Sequence, residues 1–355
     1  MEKFPPLSIN RHFPRIGETC MPVVQFSAKA LPVLILGMLA TTAAAVRAEE
    51  TAMRKMRFRA AATAEAQQWQ EKSRELIFGL LNLTDLQATR ETDDKAIPFD
   101  VKIISSEDLA KFTRREIEFN STPTRRIKAI LTVPNSSDQK QLPAVVCIHG
   151  HGGNREIVYD PKSIYAGFAT DLDENGFVTI STDVGQHKVY EEGRSLMGER
   201  LWDVLRCADY LASMPQVDAE RLGCAGLSLG GEMAMWLGAM DPRMKVVVSS
   251  GFLTTMEGID NENCCLCWKF PGLTDNFQFC DIFSMIAPRA LICQNGELER
   301  APGGFPIDVA KPEMAKIKDA YATFDASDKA VLDVHSGGHV YVVPSARAFI
   351  EKAIK

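Results

Sequence analysis

A serine framed by glycines, Gly226-Leu227-Ser228-Leu229-Gly230-Gly231, stands between an apolar run, RLGCAG, and a stretch of helix formers, EMAMWLGAM. Residues two before and two after Ser228 lack bulk, as a strained turn from strand to helix requires. Such a turn projects the Ser228 hydroxyl above a sheet, and the helix N-terminus behind it favours developing negative charge. A serine hydroxyl is a weak nucleophile until a base takes its proton. The chain offers an imidazole at Gly337-Gly338-His339, on a glycine loop near the C-terminus. His335 competes, but it lies within the strand pattern LDVHS and reads as a packed or hydrogen-bonded histidine. An imidazole base needs a carboxylate to fix its tautomer. Glu297 and Glu299 follow the apolar run RALICQNG, with Asp308 farther on. Glu299 is favoured because it lies clear of the strand end, whereas Glu297 adjoins it. His149-Gly150-His151-Gly152-Gly153 follows a further apolar run, PAVVCIHG. Its glycines let backbone N–H groups approach a ligand oxygen. One oxyanion donor is expected at the N–H of Leu229 and a second at His151 or Gly152. Together these parts suit nucleophilic acyl transfer.

The elements that must position these residues alternate in type. Residues 61–83 are rich in helix formers with apolar residues at helical spacing, predicting an N-terminal helix. Periodicity weakens over 84–112. Two strands are expected at 115–121 and 125–134, joined at Thr122-Pro123. Further strands are predicted at 143–150, 176–183, 221–228, 244–250, 289–296 and 330–337, with helices at 201–214, 230–241, 312–324 and 345–354. Strand and helix in alternation imply an α/β fold, a mostly parallel twisted sheet with helices on both faces. In such sheets chemistry gathers at the carboxyl ends of the strands, where Ser228, His151, Glu299 and His339 all fall. Where a serine occupies such a turn, the acid comes between the serine and the histidine in chain order. A segment at about 251–280 interrupts the alternation and is expected to overhang the site. His149, His187 and Trp268 are candidate pocket residues, with packing or a surface position as the plain alternative for each. Phe270 is read in the same way as Trp268.

The 355 residues are 24% charged and 46% hydrophobic, ordinary for a globular protein, and the net charge of −6 argues against a nucleic-acid surface. Residues 29–47, KALPVLILGMLATTAAAVR, carry no charge between their ends. They read as a secretory signal cut after residue 48, with residues 1–20 an unusually long lead-in that need not be translated. An uncleaved membrane anchor is the alternative, though the stretch is marginal for spanning a bilayer. Cleavage would remove five basic and two acidic residues, leaving a net charge of about −9. The rest divides into an N-terminal helical extension, 49–112, and a catalytic domain, 113–355. No second hydrophobic span follows. Of nine cysteines, Cys20 belongs to the leader, Cys147, Cys224 and Cys293 lie in apolar runs, and Cys207 lies on a helix. Cys264, Cys265, Cys267 and Cys280 cluster in the interrupting segment. Free thiols and a disulfide are both open there, since export permits a disulfide. A metal is not expected, because no histidine accompanies the cluster at ligand spacing and His149 and His151 lack a nearby carboxylate. No cofactor is expected.

HGHGG, GLSLGG, the strand ending in NGELE, and GGHV as a set resemble the α/β-hydrolase superfamily. Within it, GRSLMGERLWDVLRCADYLASMPQVDAERLGCAGLSLGGEMAMWLGAMDPRMKVVVSSGF and APRALICQNGE are similar to the acetyl xylan esterase and dienelactone hydrolase-like group. The resemblance covers roughly residues 110–355 and implies a carboxylic-ester hydrolase with Ser228, Glu299 and His339 as triad. Dienelactone hydrolases proper use a cysteine nucleophile, and Ser228 here shifts weight to esterases. The family's usual aspartate, in a G-x-x-D pattern, is matched by Glu299. The implied function is an exported esterase that removes small acyl groups from a small-molecule or carbohydrate ester. A serine peptidase, a lactone hydrolase and a non-catalytic binding protein on the same fold are the alternatives. A peptidase would usually carry a large extra domain, and the first hundred residues are too short and too helical for a propeller.

Overall fold

The structure, a computed structural model, describes residues 54–91, 96–135, 141–261 and 265–355. The expected leader, residues 1–48, and Cys264 lie outside the described residues. Among those residues, strands β1 (Lys102–Asp108), β2 (Phe112–Asn120), β3 (Arg126–Pro134), β4 (Leu142–Ile148), β5 (Val178–Thr182), β6 (Val217–Leu227), β7 (Met244–Ser250), β8 (Ala290–Gly296) and β9 (Ala330–His335) form one sheet. Its order is β1-β2-β3-β5-β4-β6-β7-β8-β9. The pairs from β1 to β5 are antiparallel, and those from β5 through β4 to β9 are parallel. The helices are α1 (Thr63–Leu80), α2 (Thr84–Glu91), α3 (Phe168–Glu174), α4 (Leu196–Ser213), α5 (Leu229–Met240), α6 (Met256–Asn261), α7 (Leu273–Asn276), α8 (Phe279–Ser284), α9 (Ile307–Ala322) and α10 (Val343–Ile354).

Side chains of a strand alternate between faces, so the central strands feed two cores. Ala144, Val146 and Ile148 of β4 join a core with α1, α4, α5, α8 and α9. Val145 and Cys147 of the same strand join a second core with α3 and α10. Both faces of the parallel part are thus covered, and near-continuous apolar runs are what such strands need. Every residue of α5 is buried, consistent with a helix that is apolar all round. Ser195 caps α4, its hydroxyl accepting from Gly198 N–H at 3.0 Å. Helix α1 lies on the body of the fold: Gln70 Nε2 donates to Ala287 O at 2.7 Å and Arg74 Nε to Ala239 O at 2.9 Å.

Three elements differ from the sequence reading. The 49–112 segment is not wholly helical, because β1 adds an edge strand whose seven residues are all exposed. With no buried face, it has no hydrophobic alternation to betray it. Helix α3, FATDLDE, is too short to show a helical period. Helix α9 begins at Ile307, and Pro312 lies inside it, not at its start.

Candidate active site

The turn between β6 and α5 puts Ser228 at φ 64°, ψ −125°, a left-handed conformation that a residue with a Cβ adopts only when its surroundings enforce it. Its N–H donates to Ser250 O on β7 at 2.9 Å. The flanking glycines are steric requirements: a Cβ on Gly226 would run into Gly230 O, and one on Gly230 into Ile148 O. Gly150 is equally constrained, since its Cβ would lie 2.9 Å from Ser228 Cβ. The loop after β4 therefore passes directly against the serine.

That loop is a tight turn. Gly153 N–H donates to Gly150 O at 3.2 Å, and Gly152 takes φ +70°. Gly150 N–H donates to the Tyr165 hydroxyl at 2.6 Å, a brace that no sequence signal indicates. The N–H of Leu229 opens α5 and so has no acceptor within the helix. The expected donors His151 and Gly152 follow Gly150 in the loop that passes against Ser228.

His339 lies on the loop after β9, and its Nδ1 is 2.9 Å from Glu299 Oε2. Glu299 is 2% exposed. Its Oε1 accepts from Gly296 N–H at 3.0 Å, and its Oε2 from Phe305 N–H at 2.8 Å. A buried carboxylate with both oxygens occupied has one orientation left, and it faces the imidazole. The loops that carry Glu299 and His339 are also stitched together: Glu297 N–H donates to His335 O at 2.8 Å and Leu298 N–H to Gly337 O at 3.0 Å. The Glu297 side chain is exposed, as is Asp308 on α9. His335 stays at the end of β9, its Nδ1 accepting from Gly337 N–H at 3.2 Å.

Gly251, which sequence reasoning missed, joins the serine and histidine sides. It follows Ser250, the acceptor of Ser228 N–H, and takes φ +55°. Its own N–H donates to Gln294 O at 2.7 Å. A Cβ there would lie 2.7 Å from His339 Cε1 and 3.1 Å from Leu227 Cδ1. Gly251→Ala is expected to displace the His339 ring and lower turnover by on the order of 10², the scale of an ångström-sized misplacement. Ester hydrolysis, read beside a thermal melt, checks this. A wild-type rate in a folded variant would show that the ring does not depend on Gly251.

Known proteins resemble this chain in fold and, over part of its length, in sequence. Residues 95–259 match the acetyl xylan esterase (AXE1) family. YtaP of Bacillus subtilis (strain 168), provisionally named a hydrolase, is 26% identical over 222 residues, covering 56% of this chain and 73% of its own. The structure of methylesterase BT1017 superposes with a TM-score of 0.65 at 18% identity, over 83% of this chain and 64% of that one. Acetyl xylan esterase 1 from Thermoanaerobacterium sp. JW/SL YS485 superposes with a TM-score of 0.52 at 17% identity, over 76% and 92% of the two chains. The chain has the α/β-hydrolase fold of these esterases. The matched family and both superposed structures are esterases by name.

The candidate pocket residues part company. His149 is fully buried. Its Nδ1 donates to Gly150 O at 2.8 Å and its Nε2 accepts from Val184 N–H at 3.0 Å, which fixes a neutral tautomer. Burial lowers its pKa in the same sense. It braces the loops after β4 and β5. Trp268 is 2% exposed and packs on Phe279, 5.2 Å between ring centroids, while Phe270 packs on Trp236. Both belong to the hydrophobic core shared with α5 and α8. A cleft of about 750 Å³ runs past His149, Gly152, Gly153, Asp183, Gln186 and Glu191, but neither Ser228 nor His339 lines it.

The cysteine expectation also changes. Cys265, Cys267 and Cys280 are free thiols, and Cys280 is buried in α8, apart from the loop. His151 and His187, in contrast, come to the thiols: His151 Nε2 is 3.1 Å from Cys267 Sγ and His187 Nε2 is 3.3 Å from Cys265 Sγ. The expectation that no histidine accompanies the cysteines is therefore overturned. It weighed spacing along the chain, whereas loops after different strands supply the histidines. Partial burial, then Arg200 and His187 nearby, hold the His151 imidazole down to about 4. Burial pushes the Cys267 thiol up to about 12, against an opposing hydrogen bond from Arg200. Glu232 on α5 was also missed. Burial raises its carboxyl to about 7, although Arg200 and a 3.3 Å hydrogen bond from Trp236 Nε1 pull the other way.

Proposed function

We propose that this protein is an exported serine esterase that removes small acyl groups, acetyl first among them, from carbohydrate through an acyl-enzyme. Ser228 Oγ attacks the ester carbonyl carbon while His339 Nε2 takes its proton. The carbonyl oxygen becomes an oxyanion facing the N–H groups of Leu229 and of His151 or Gly152. Collapse breaks the bond to the alcohol, which leaves with the proton from His339. Water, activated by the same imidazole, then attacks the acyl-serine and releases the carboxylic acid and free Ser228. Glu299 holds His339 in the tautomer with the proton on Nδ1 and stabilises the imidazolium.

The observation that carries this reading is the Glu299–His339 contact at 2.9 Å, in a chain whose Ser228 is held at φ 64° between β6 and α5. The acetyl and carbohydrate parts rest on the family match over residues 95–259. Export rests on the leader pattern of residues 1–48. Among the described residues, no helix is long and apolar enough to cross a membrane. The test is a substrate panel with purified protein: acetylated xylan, a short-chain chromogenic acetate, a sugar-acid methyl ester, a lactone and a peptide. Acetate release from the first two, above the other three, is expected. Hydrolysis confined to the peptide or the lactone would contradict the proposal.

A further inference from the structure

Four side chains from three loops meet beside the serine turn, and the catalytic chemistry above uses none of them. His151 follows β4, His187 follows β5, and Cys265 and Cys267 belong to the segment between β7 and β8. One ligand atom from each lies within 4.8 Å of the others. A tetrahedral zinc ion with bonds of about 2.3 Å to sulfur and about 2.0 Å to nitrogen requires N···S edges of about 3.6 Å and an S···S edge of about 3.8 Å. The observed N···S separations of 3.1 and 3.3 Å need only a small expansion to reach that shape. The imidazoles stack with centroids 5.4 Å apart and both present Nε2. We propose that His151, His187, Cys265 and Cys267 form a binding site for a thiophilic divalent metal, Zn²⁺, that fastens the inserted segment to the loop beside Ser228.

A second, independent observation points the same way. Arg200 is fully buried and makes no ion pair at contact distance among the described residues, with the Glu232 carboxyl acting on it only through space. Its Nη1 donates to Cys267 Sγ at 3.2 Å, and its Nη2 donates to the carbonyl of Gln186, next to His187. A buried guanidinium is costly without an anion. Coordination makes both thiols thiolates, with two protons passing to solvent as Zn²⁺ enters. The cluster is then neutral, and the Cys267 thiolate supplies the anion that Arg200 faces. Donation from a neighbouring N–H to a ligand sulfur is an ordinary outer-shell contact of metal sites. Sulfur and imidazole ligands select Zn²⁺ over Mg²⁺ or Ca²⁺. Four protein ligands leave no open position, so the metal is structural and adds no Lewis acid to the ester chemistry. Its effect passes through His151, whose backbone follows Gly150 against Ser228.

Metal content tests this without any substrate, so failure of the esterase reading leaves it untouched. The full chain, reduced, loaded with Zn²⁺ and dialysed, is expected to retain about one zinc per chain by plasma mass spectrometry. Cys265→Ser/Cys267→Ser should retain about a tenth of that or less, and His187→Gln, altered at an exposed ligand, should bind more weakly. Co²⁺ loading should give a thiolate charge-transfer band that Cys267→Ser lacks. Thermal melts establish that the variants are folded. Wild-type chain that keeps no more zinc than the double variant overturns the proposal. So does a Cys265–Cys267 disulfide found by peptide mapping of protein isolated with its thiols blocked at lysis.

Discussion

Ser228→Ala is expected to remove ester hydrolysis almost entirely, with kcat falling by about 10⁶, the scale seen when a triad nucleophile is deleted from a serine hydrolase. The remaining rate reflects backbone donors and substrate binding alone. Folding should survive, because alanine keeps the Cβ and no hydrogen bond of the turn depends on the hydroxyl: Ser228 is held through its N–H to Ser250 O and its carbonyl to Glu232 N–H. Thermal stability should therefore stay within about 1 kcal/mol of wild type. A chromogenic acetate assay beside a thermal melt checks both parts. A folded variant with more than a tenth of the wild-type rate would remove Ser228 from the mechanism.

Glu299→Gln should be nearly as damaging, at about 10⁴ in kcat, because a neutral amide no longer fixes the His339 tautomer or stabilises its imidazolium. Stability should fall as well. The Glu299 oxygens accept from Gly296 N–H, Phe305 N–H and His339 Nδ1. An amide must turn its NH₂ toward at least one of these donors, leaving a buried clash of like groups at about 1–3 kcal/mol. Glu297→Gln is the contrast, since that side chain is exposed and should turn over like wild type. A dead Glu297→Gln beside an active Glu299→Gln would reverse the assignment.

What could be read from the sequence depended on whether a signal was local. The parallel strands read as apolar runs because they are buried on both faces, and the turn at Ser228 reads as GLSLGG because its steric demands fall within six residues. Chain order and the distance from the strand end singled out Glu299. The hydrogen bonds from Gly296 and Phe305 that orient it leave no trace in composition. Gly251 was invisible for the same reason: what forbids a side chain there is His339, far along the chain. The cluster of His151, His187, Cys265 and Cys267 was hidden by separations of 116 and 78 residues between its bonded partners. Trp268 stayed open between pocket and packing because an aromatic in an inserted segment has the same pattern whether it faces a cleft or the core. Strand β1 has no buried face and so no period to detect.

The serine mechanism is tested most directly by trapping the acyl-enzyme. Protein mixed with an excess of an activated acetate, quenched in acid within one turnover and digested, should carry one acetyl group on the peptide containing Ser228. The same treatment of Ser228→Ala should leave that peptide unmodified. Acetyl on another side chain, or turnover with no label on Ser228 in a competent quench, would contradict nucleophilic catalysis by this residue.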